Sequence, residues 1–171
     1  MPDTFDVTDA VQLAVVERSG FIESRHAGAA IVLAPDGTVL RSLGATDALV
    51  FPRSSLKPFQ SLASQTAGVT LSGEWAALST ASHSGTDRHV SVVRDMLASV
   101  GLTEDELGCP VAWPGDSATR DEMLLSGGGK SRLRMNCSGK HAAMLMACVA
   151  NDWSTADYLS PTHPLQVHTR E

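Results

Sequence analysis

The stretch Met135-Asn136-Cys137-Ser138-Gly139-Lys140-His141 is the most informative in the chain. It passes from loop residues into a pattern typical of a buried helix that runs to about Asn151. Free N–H groups at the start of a helix favour anions and thiolates, so we expect Cys137 to be more reactive than Cys148, which the pattern buries. This helix start therefore brings a thiol, an amine and an imidazole together within five residues.

Cys137 stands three residues before Lys140 and four before His141, and side chains at these spacings share one helix face. Either pair supplies half of a tetrahedral zinc site, which would need further ligands from elsewhere. The alternative is a helix start with an incidental thiol. A phosphate-binding loop is excluded, because Arg134 stands where that motif needs glycine and His141 where it needs Ser or Thr.

A second stretch, Phe51-Pro52-Arg53-Ser54-Ser55-Leu56-Lys57-Pro58, contains the Ser-x-x-Lys arrangement of serine acyl-transfer enzymes. Ser54 and Lys57 would lie on one face of a helix start, where a lysine with a depressed pKa can take the serine proton. Arg53 can help depress that pKa or bind a carboxylate. The alternative is a capping serine beside a solvated lysine. With Ser55 as the N-cap, the proline falls in the first turn, which tolerates it.

A third stretch, Ala81-Ser82-His83-Ser84-Gly85, is rich in hydroxyl groups and holds one imidazole. Ser82 can relay a proton between a nucleophile and a lysine, and His83 can act as an acid or base near neutral pH. The alternative is an ordinary turn that leads into a helix from about Arg88.

The elements around these stretches predict an α+β fold of strands followed by helices. Pro35-Asp36-Gly37 predicts a hairpin between strands at 29–33 and 38–43, and 11–17 is expected to be a further strand of the same sheet. Helices are predicted near 55–65, 74–79, 88–100 and 138–151, with a short one at the end of the chain and mostly loop over 108–131.

Composition excludes several classes of protein. Of the 171 residues, 43% are hydrophobic and 19% are charged. This composition is sufficient for a hydrophobic core and differs from that of a disordered tail. The net charge of −6 does not favour nucleic-acid binding, and the three cysteines do not form a disulfide framework. No run of about 18 apolar residues could span a membrane, and residues 1–10 do not resemble a signal peptide. We therefore expect a cytoplasmic protein.

The stretches together resemble the asparaginase II family, the L-asparaginases whose fold is similar to serine β-lactamases, penicillin-binding proteins and glutaminases. The resemblance runs from about Val11 to the end of the chain. The segments that carry it follow in this order: Val16-Glu17-Arg18-Ser19-Gly20, Glu23-Ser24-Arg25-His26, Arg53-Ser54-Ser55-Leu56-Lys57-Pro58, Ala81-Ser82-His83-Ser84-Gly85 and Asn136-Cys137-Ser138-Gly139-Lys140-His141. It implies a sheet with packed helices, and an amidohydrolase that converts L-asparagine to L-aspartate and ammonia.

The resemblance also implies roles for individual residues. Ser54 and Lys57 match the first nucleophile–base pair of the family, and Ser82 matches its second catalytic serine, with Ser84 as the second choice. Arg53 would lie against the substrate. Which serine attacks stays open.

For the helix start, the resemblance implies zinc. Cys137 and Lys140 match the metal-associated cluster of the family, which binds zinc near the substrate and modulates affinity, and His141 is a further candidate. A lysine must be neutral to bind a metal, so the pKa of Lys140 would have to be strongly depressed. No organic cofactor is expected.

Family members are about twice as long as this chain, and their second catalytic lysine and a further metal-binding cysteine lie in the C-terminal part. We therefore expect residues 1–171 to form a single, truncated domain, the N-terminal part of an asparaginase II domain, with an open sheet edge and exposed apolar faces. The resemblance suggests a homodimer. Two alternatives are a non-catalytic fragment that needs a C-terminal half, and another β-lactamase-like serine enzyme such as a glutaminase.

Overall fold

The structure is a computed structural model that describes residues 4–171 and divides into two compact units. The first unit ends at Pro52 and contains strands, and the second, Arg53–Glu171, contains the α-helices. The chain is therefore α+β, as the sequence predicts. Within the described range, no helix has the length and apolar character needed to cross a membrane.

The first unit consists of two antiparallel hairpins, each a two-stranded sheet. One joins β1 (Val11–Arg18) to β2 (Phe21–Gly28), and the other joins β3 (Ala30–Leu33) to β4 (Val39–Leu43). The second hairpin confirms the prediction from Pro35-Asp36-Gly37. Its glycine has a φ of 86°, in the left-handed region that the turn requires.

The prediction that residues 11–17 join the sheet of the second hairpin is wrong. This segment pairs with β2 instead, in a sheet of its own. The physical reason is the two-residue turn between the strands, where Ser19 and Gly20 both have positive φ, at 51° and 79°. That is the conformation of the tight hairpin turn whose twist matches the strands, so it imposes local pairing.

The strands expose their apolar side chains. No residue from 4 to 52 is buried, and Phe21 is 72% exposed. The first unit therefore presents apolar strand faces, which in proteins commonly mark contact surfaces.

The second unit is built around one central helix. Its helices are α1 (Lys57–Thr66), α2 (Gly73–Thr80), α3 (Asp87–Ala98), α4 (Ser117–Leu125), α5 (Ser138–Ala150) and α6 (Pro164–Arg170). Helix α5 packs against α1, α2 and α3, and it is buried over most of its length. Its interior is almost all Ala, Met and Leu, which are strong helix formers without polar groups.

Capping residues set several helix ends as predicted. Thr86 is the N-cap of α3, and its backbone N–H donates to Nδ1 of His89 at 3.2 Å. Thr103 and Glu106 form the predicted capping box, on a three-residue 3₁₀ helix. Cys148 is fully buried in α5, as its position in the apolar pattern predicts.

The structure differs from the prediction at two helices. Ser55 is not the cap of α1, because a 3₁₀ helix, Arg53–Leu56, leads directly into it and Leu56 is the N-cap. The segment 108–131 is mostly loop, as predicted, but it also contains α4, which the sequence pattern did not predict. Asp116 is the N-cap of that helix, where its carboxylate accepts the backbone N–H of Thr119 at 2.8 Å and so stabilises the first turn.

Candidate active site

The structure brings Lys57 and Ser82 together. Lys57 is the first residue of α1, and its side chain is buried. Its Nζ donates to the Ser82 hydroxyl at 2.7 Å and to the carbonyl of Ala81, the C-cap of α2, at 2.9 Å. The first turn of α1 and the chain leaving α2 therefore meet at an amine–hydroxyl pair, one of the arrangements that activates a serine.

The surroundings of Lys57 favour its neutral form. Burial lowers the pKa of Lys57 below its usual 10.5, Cys137 opposes the shift, and the positive charge of Lys140 adds to it. A lower pKa increases the fraction of amine that can accept a proton at a given pH. The predicted depression has burial as its main cause, and Lys140 rather than Arg53 is the cation that contributes.

Ser54 and Arg53 lie on the 3₁₀ helix immediately before α1, and both are exposed. Arg53 has a φ of 51°, a left-handed conformation that typically costs a non-glycine residue about 1–3 kcal/mol. Within the described residues, the Lys57 amine hydrogen-bonds to Ser82 and Ala81 and not to Ser54. The lysine predicted to pair with Ser54 thus has Ser82 as its hydroxyl partner.

His83 is buried and both of its ring nitrogens are engaged. Nδ1 accepts the backbone N–H of Gly85 at 3.1 Å, and Nε2 lies 2.9 Å from the Ser138 hydroxyl. Burial, aided by His89 and Lys57, lowers the pKa of His83 to about 4, so the ring is neutral at pH 7. This environment suits a structural link rather than acid–base exchange with a substrate.

Ser84 takes a different place. Its side chain is exposed, and its carbonyl accepts the backbone N–H of Asp116 at 3.0 Å. Of the two serines, Ser82 is therefore the one whose hydroxyl contacts Lys57.

The three candidate metal ligands lie at the start of α5. Cys137 is the N-cap, Cys137 and Lys140 are half-buried, and His141 is buried. Nδ1 of His141 accepts a hydrogen bond from the Tyr158 hydroxyl at 2.7 Å, and that hydroxyl accepts the Gly108 N–H at 2.7 Å. Burial, together with Lys140 and Lys57, lowers the pKa of His141 to about 4.

These groups do not complete a zinc site by themselves. Across residues 4–171, no three His, Cys, Asp or Glu side chains are placed to hold one metal ion. One ring nitrogen of His141 is already committed to Tyr158. A zinc ion here would need ligands beyond those that the described chain provides.

Comparison with known proteins identifies the family. The model of the family described as L-asparaginase II matches residues 14–171, which is nearly the whole chain. The chain belongs to the L-asparaginase II family. A search of curated proteins gave no significant match. The family assignment confirms the resemblance read from the motifs, and it places the chain among asparaginase-like amidohydrolases.

In this L-asparaginase II chain, sequence reasoning missed the group that holds the Ser82 loop. Nη1 of Arg134 donates to the Gly85 carbonyl at 2.8 Å, and Nη2 donates to Asp87 at 2.6 Å. Gly85 has a φ of 74°, and a Cβ on it would lie 2.6 Å from the Arg134 carbonyl oxygen. The Ser-Gly dipeptide before a capping threonine is the available signal for this turn, whereas nothing local identifies Arg134 as its partner.

Sequence reasoning also missed two buried groups near the α5 start of this family member. Cys109 is buried, and burial, with a smaller contribution from Cys137, raises the pKa of its thiol to about 11. Both cysteines are free thiols. Tyr158 is buried as well, and it links Gly108 to His141. Its hydrogen-bond partners Gly108 and His141 lie 50 and 17 residues away in sequence, so no local pattern marks it.

Proposed function

We propose that this member of the L-asparaginase II family hydrolyses the side-chain amide of L-asparagine to L-aspartate and ammonia by serine acyl transfer. The observation that carries the proposal is the buried Lys57 amine, 2.7 Å from the Ser82 hydroxyl. Family membership supplies the reaction class, and this pair supplies a base next to a hydroxyl. The fold proposed is the sheet-and-helix arrangement of serine β-lactamases, which the α+β composition supports.

In the mechanism we propose, Lys57 acts as the general base through Ser82. Neutral Lys57 takes the Ser82 proton, Ser82 takes the proton of Ser54, and the Ser54 oxygen attacks the amide carbon of asparagine. The carbon–nitrogen bond then breaks, and the proton returns along the same path to the departing ammonia. Water hydrolyses the acyl-enzyme ester and releases aspartate. The direct hydrogen bond between Lys57 and Ser82 supports this order, because it gives Ser82 the relay position.

Arg53 would hold the α-carboxylate of the substrate. Its guanidinium is exposed, it directly precedes Ser54, and it takes a left-handed φ of the kind that proteins retain at functional sites. A planar guanidinium matches a carboxylate with two parallel hydrogen bonds.

Zinc binding by Cys137 and Lys140, with His141 beside them, stays a prediction, as do a homodimer and a cytoplasmic location. The catalytic steps above use none of these. Lys140 would have to lose its proton to bind the metal, and the missing ligands would have to come from outside the described residues.

The test is ammonia release from L-asparagine by the purified 171-residue chain, with L-glutamine as the comparison substrate. Lys57→Met, Ser54→Ala and Ser82→Ala should each lose at least about 100-fold in kcat. Lys130→Met and Ser126→Ala are matched controls on exposed residues outside the site. Both controls should keep normal turnover.

The other outcomes of this experiment bear on the mechanism, on the substrate and on the need for a C-terminal half. Full activity in Lys57→Met would overturn the mechanism, and a clear preference for glutamine would favour the glutaminase alternative. If the 171-residue chain alone releases no ammonia, the partial-fragment alternative predicts turnover once a C-terminal half is added. If that mixture releases no ammonia either, the proposed function is overturned.

A further inference from the structure

We propose that His83 is a positioning residue that fixes Ser82 against Lys57 by hydrogen-bonding to Ser138 at the start of α5. The inference rests on the proposed function, since it assigns a task within the same site. The sequence context of His83 predicts acid–base chemistry, whereas its buried, fully hydrogen-bonded ring favours a positioning role.

The contacts of His83 define one tautomer. Nδ1 accepts the Gly85 N–H at 3.1 Å and so carries no proton, which places the ring proton on Nε2. Nε2–H then donates to the Ser138 hydroxyl at 2.9 Å, and that hydroxyl donates to the Leu133 carbonyl at 2.9 Å. Every donor in this chain has an acceptor, so the ring is held in a single orientation.

The backbone of His83 is fixed to the same loop. Its N–H donates to the Asn136 carbonyl at 3.0 Å, two residues before Ser138. Side chain and main chain of His83 therefore both attach to residues 133–138. Ser82, the preceding residue, is held from the other side by the Lys57 amine. Helix α1 therefore holds Ser82 from one side and the residues before α5 hold it from the other, and together they set the Lys57–Ser82 distance.

His83 acts through Ser82 rather than on a substrate. His83 is only 7% exposed, and its ring stacks on His89 with a centroid distance of 5.0 Å. Arg134 attaches the same loop independently through Gly85 and Asp87. Removing the His83–Ser138 hydrogen bond should therefore shift Ser82 without unfolding the loop.

Two substitutions separate the contacts of the ring. His83→Gln keeps a donor near the position of Nε2, so it can still reach Ser138. His83→Asn keeps a group that can accept the Gly85 N–H, but it is too short to reach Ser138. We expect His83→Gln to keep most of kcat, and His83→Asn to lose roughly ten- to a hundredfold in kcat with little change in KM.

Ser138→Ala tests the partner. Because it removes the same hydrogen bond, combining it with His83→Asn should cost little more than either change alone. A purely structural role of His83 would instead give equal losses in the Gln and Asn variants, or additive losses in the double variant, and either result would overturn the inference.

A second measurement does not depend on turnover. Nitrogen-15 NMR of the histidine rings in the 171-residue chain should show a protonated Nε2 and an unprotonated Nδ1 for His83. The Ser82 and Lys57 signals should move in His83→Asn and stay near their wild-type positions in His83→Gln. The opposite tautomer, or equal shifts in both variants, would overturn the inference. A chain that gives the expected spectra but no turnover would count against the proposed function alone.

Discussion

The Lys57 side-chain nitrogen lies 2.7 Å from the hydroxyl oxygen of Ser82, although 25 residues separate them in the sequence. This contact joins the first turn of α1 to the residue that follows the C-cap of α2. The proposed mechanism adds Ser54 to this pair, and in it the protonation of Lys57 controls turnover.

The pH dependence of turnover should follow that protonation. Burial lowers the pKa of Lys57, and only the neutral amine can accept a proton, so kcat/KM should rise with pH until the amine is fully deprotonated. The rising limb should lie below the usual lysine value of 10.5. Initial rates between about pH 6 and 10 measure it. A value of kcat/KM that stays constant or falls as the pH is raised over this range would contradict the assignment of Lys57 as the base.

Gly139 should not tolerate a side chain. A Cβ at this position would lie 2.5 Å from the Leu78 carbonyl oxygen and 2.8 Å from its Cβ, so Gly139→Ala must separate α5 from α2. We expect a loss of about 1–3 kcal/mol in the free energy of unfolding. Thermal and urea denaturation measure it.

Gly129→Ala is the matched control for that substitution. A Cβ on Gly129 meets nothing within 4 Å, so its unfolding free energy should stay near that of the wild type. Equal stability of the two variants would show that α5 and α2 are not packed as described.

How far the sequence predicts this fold depends on how local each signal is. Thr86 and the turn Pro35-Asp36-Gly37 act on their immediate neighbours, and α3 and the second hairpin were predicted from them. The pairing of β1 with β2 and the start of α4 were missed, although Ser19-Gly20 and Asp116 are local signals too. Each depends on one backbone conformation or one side-chain hydrogen bond that composition alone does not reveal.

The features of the site also fall into those that local sequence predicts and those that only tertiary packing creates. The spacing of Ser54 and Lys57 marks a helix start with chemistry, and the burial that lowers the Lys57 pKa agrees with that prediction. The hydroxyl that Lys57 actually binds, on Ser82, comes from tertiary packing of α1 against α2. The links from His83 to Ser138 and from Tyr158 to His141 also join distant segments, and no periodicity in the sequence encodes them.

Acid should destabilise the chain partly through two buried histidines. The pKa values of His83 and His141 are lowered from 6.5 to about 4, so below pH 6.5 the unfolded state binds protons that the native state does not. Stability is therefore fully present above 6.5 and falls as the pH drops toward 4, by up to about 1.4 kcal/mol per pH unit for each histidine.

Urea denaturation at several pH values measures this loss. His83→Gln removes one of the two titrating groups, so the slope of stability against pH should decrease. His26→Gln, on an exposed strand position, is the control and should leave the slope unchanged. An unchanged slope in His83→Gln would show that His83 is not a buried neutral ring.

Removing the Tyr158 hydroxyl should destabilise the start of α5. Tyr158→Phe leaves the Gly108 N–H without its acceptor and Nδ1 of His141 without its donor, at a cost of about 1–3 kcal/mol in the free energy of unfolding. The His141 ring signals in the NMR spectrum should shift as well. Wild-type stability together with unchanged His141 signals would contradict the link.

The most direct test of the account is to identify the serine that reacts. The diazomethyl ketone analogue of L-asparagine alkylates an activated hydroxyl, forming an oxygen–carbon bond as dinitrogen leaves. Mass spectrometry with peptide fragmentation then locates the adduct on the 171-residue chain. We predict one adduct, on Ser54, that disappears in Lys57→Met and persists in Lys130→Met. An adduct on any other residue, Ser82 included, or labelling that survives the loss of Lys57, would contradict the proposed mechanism.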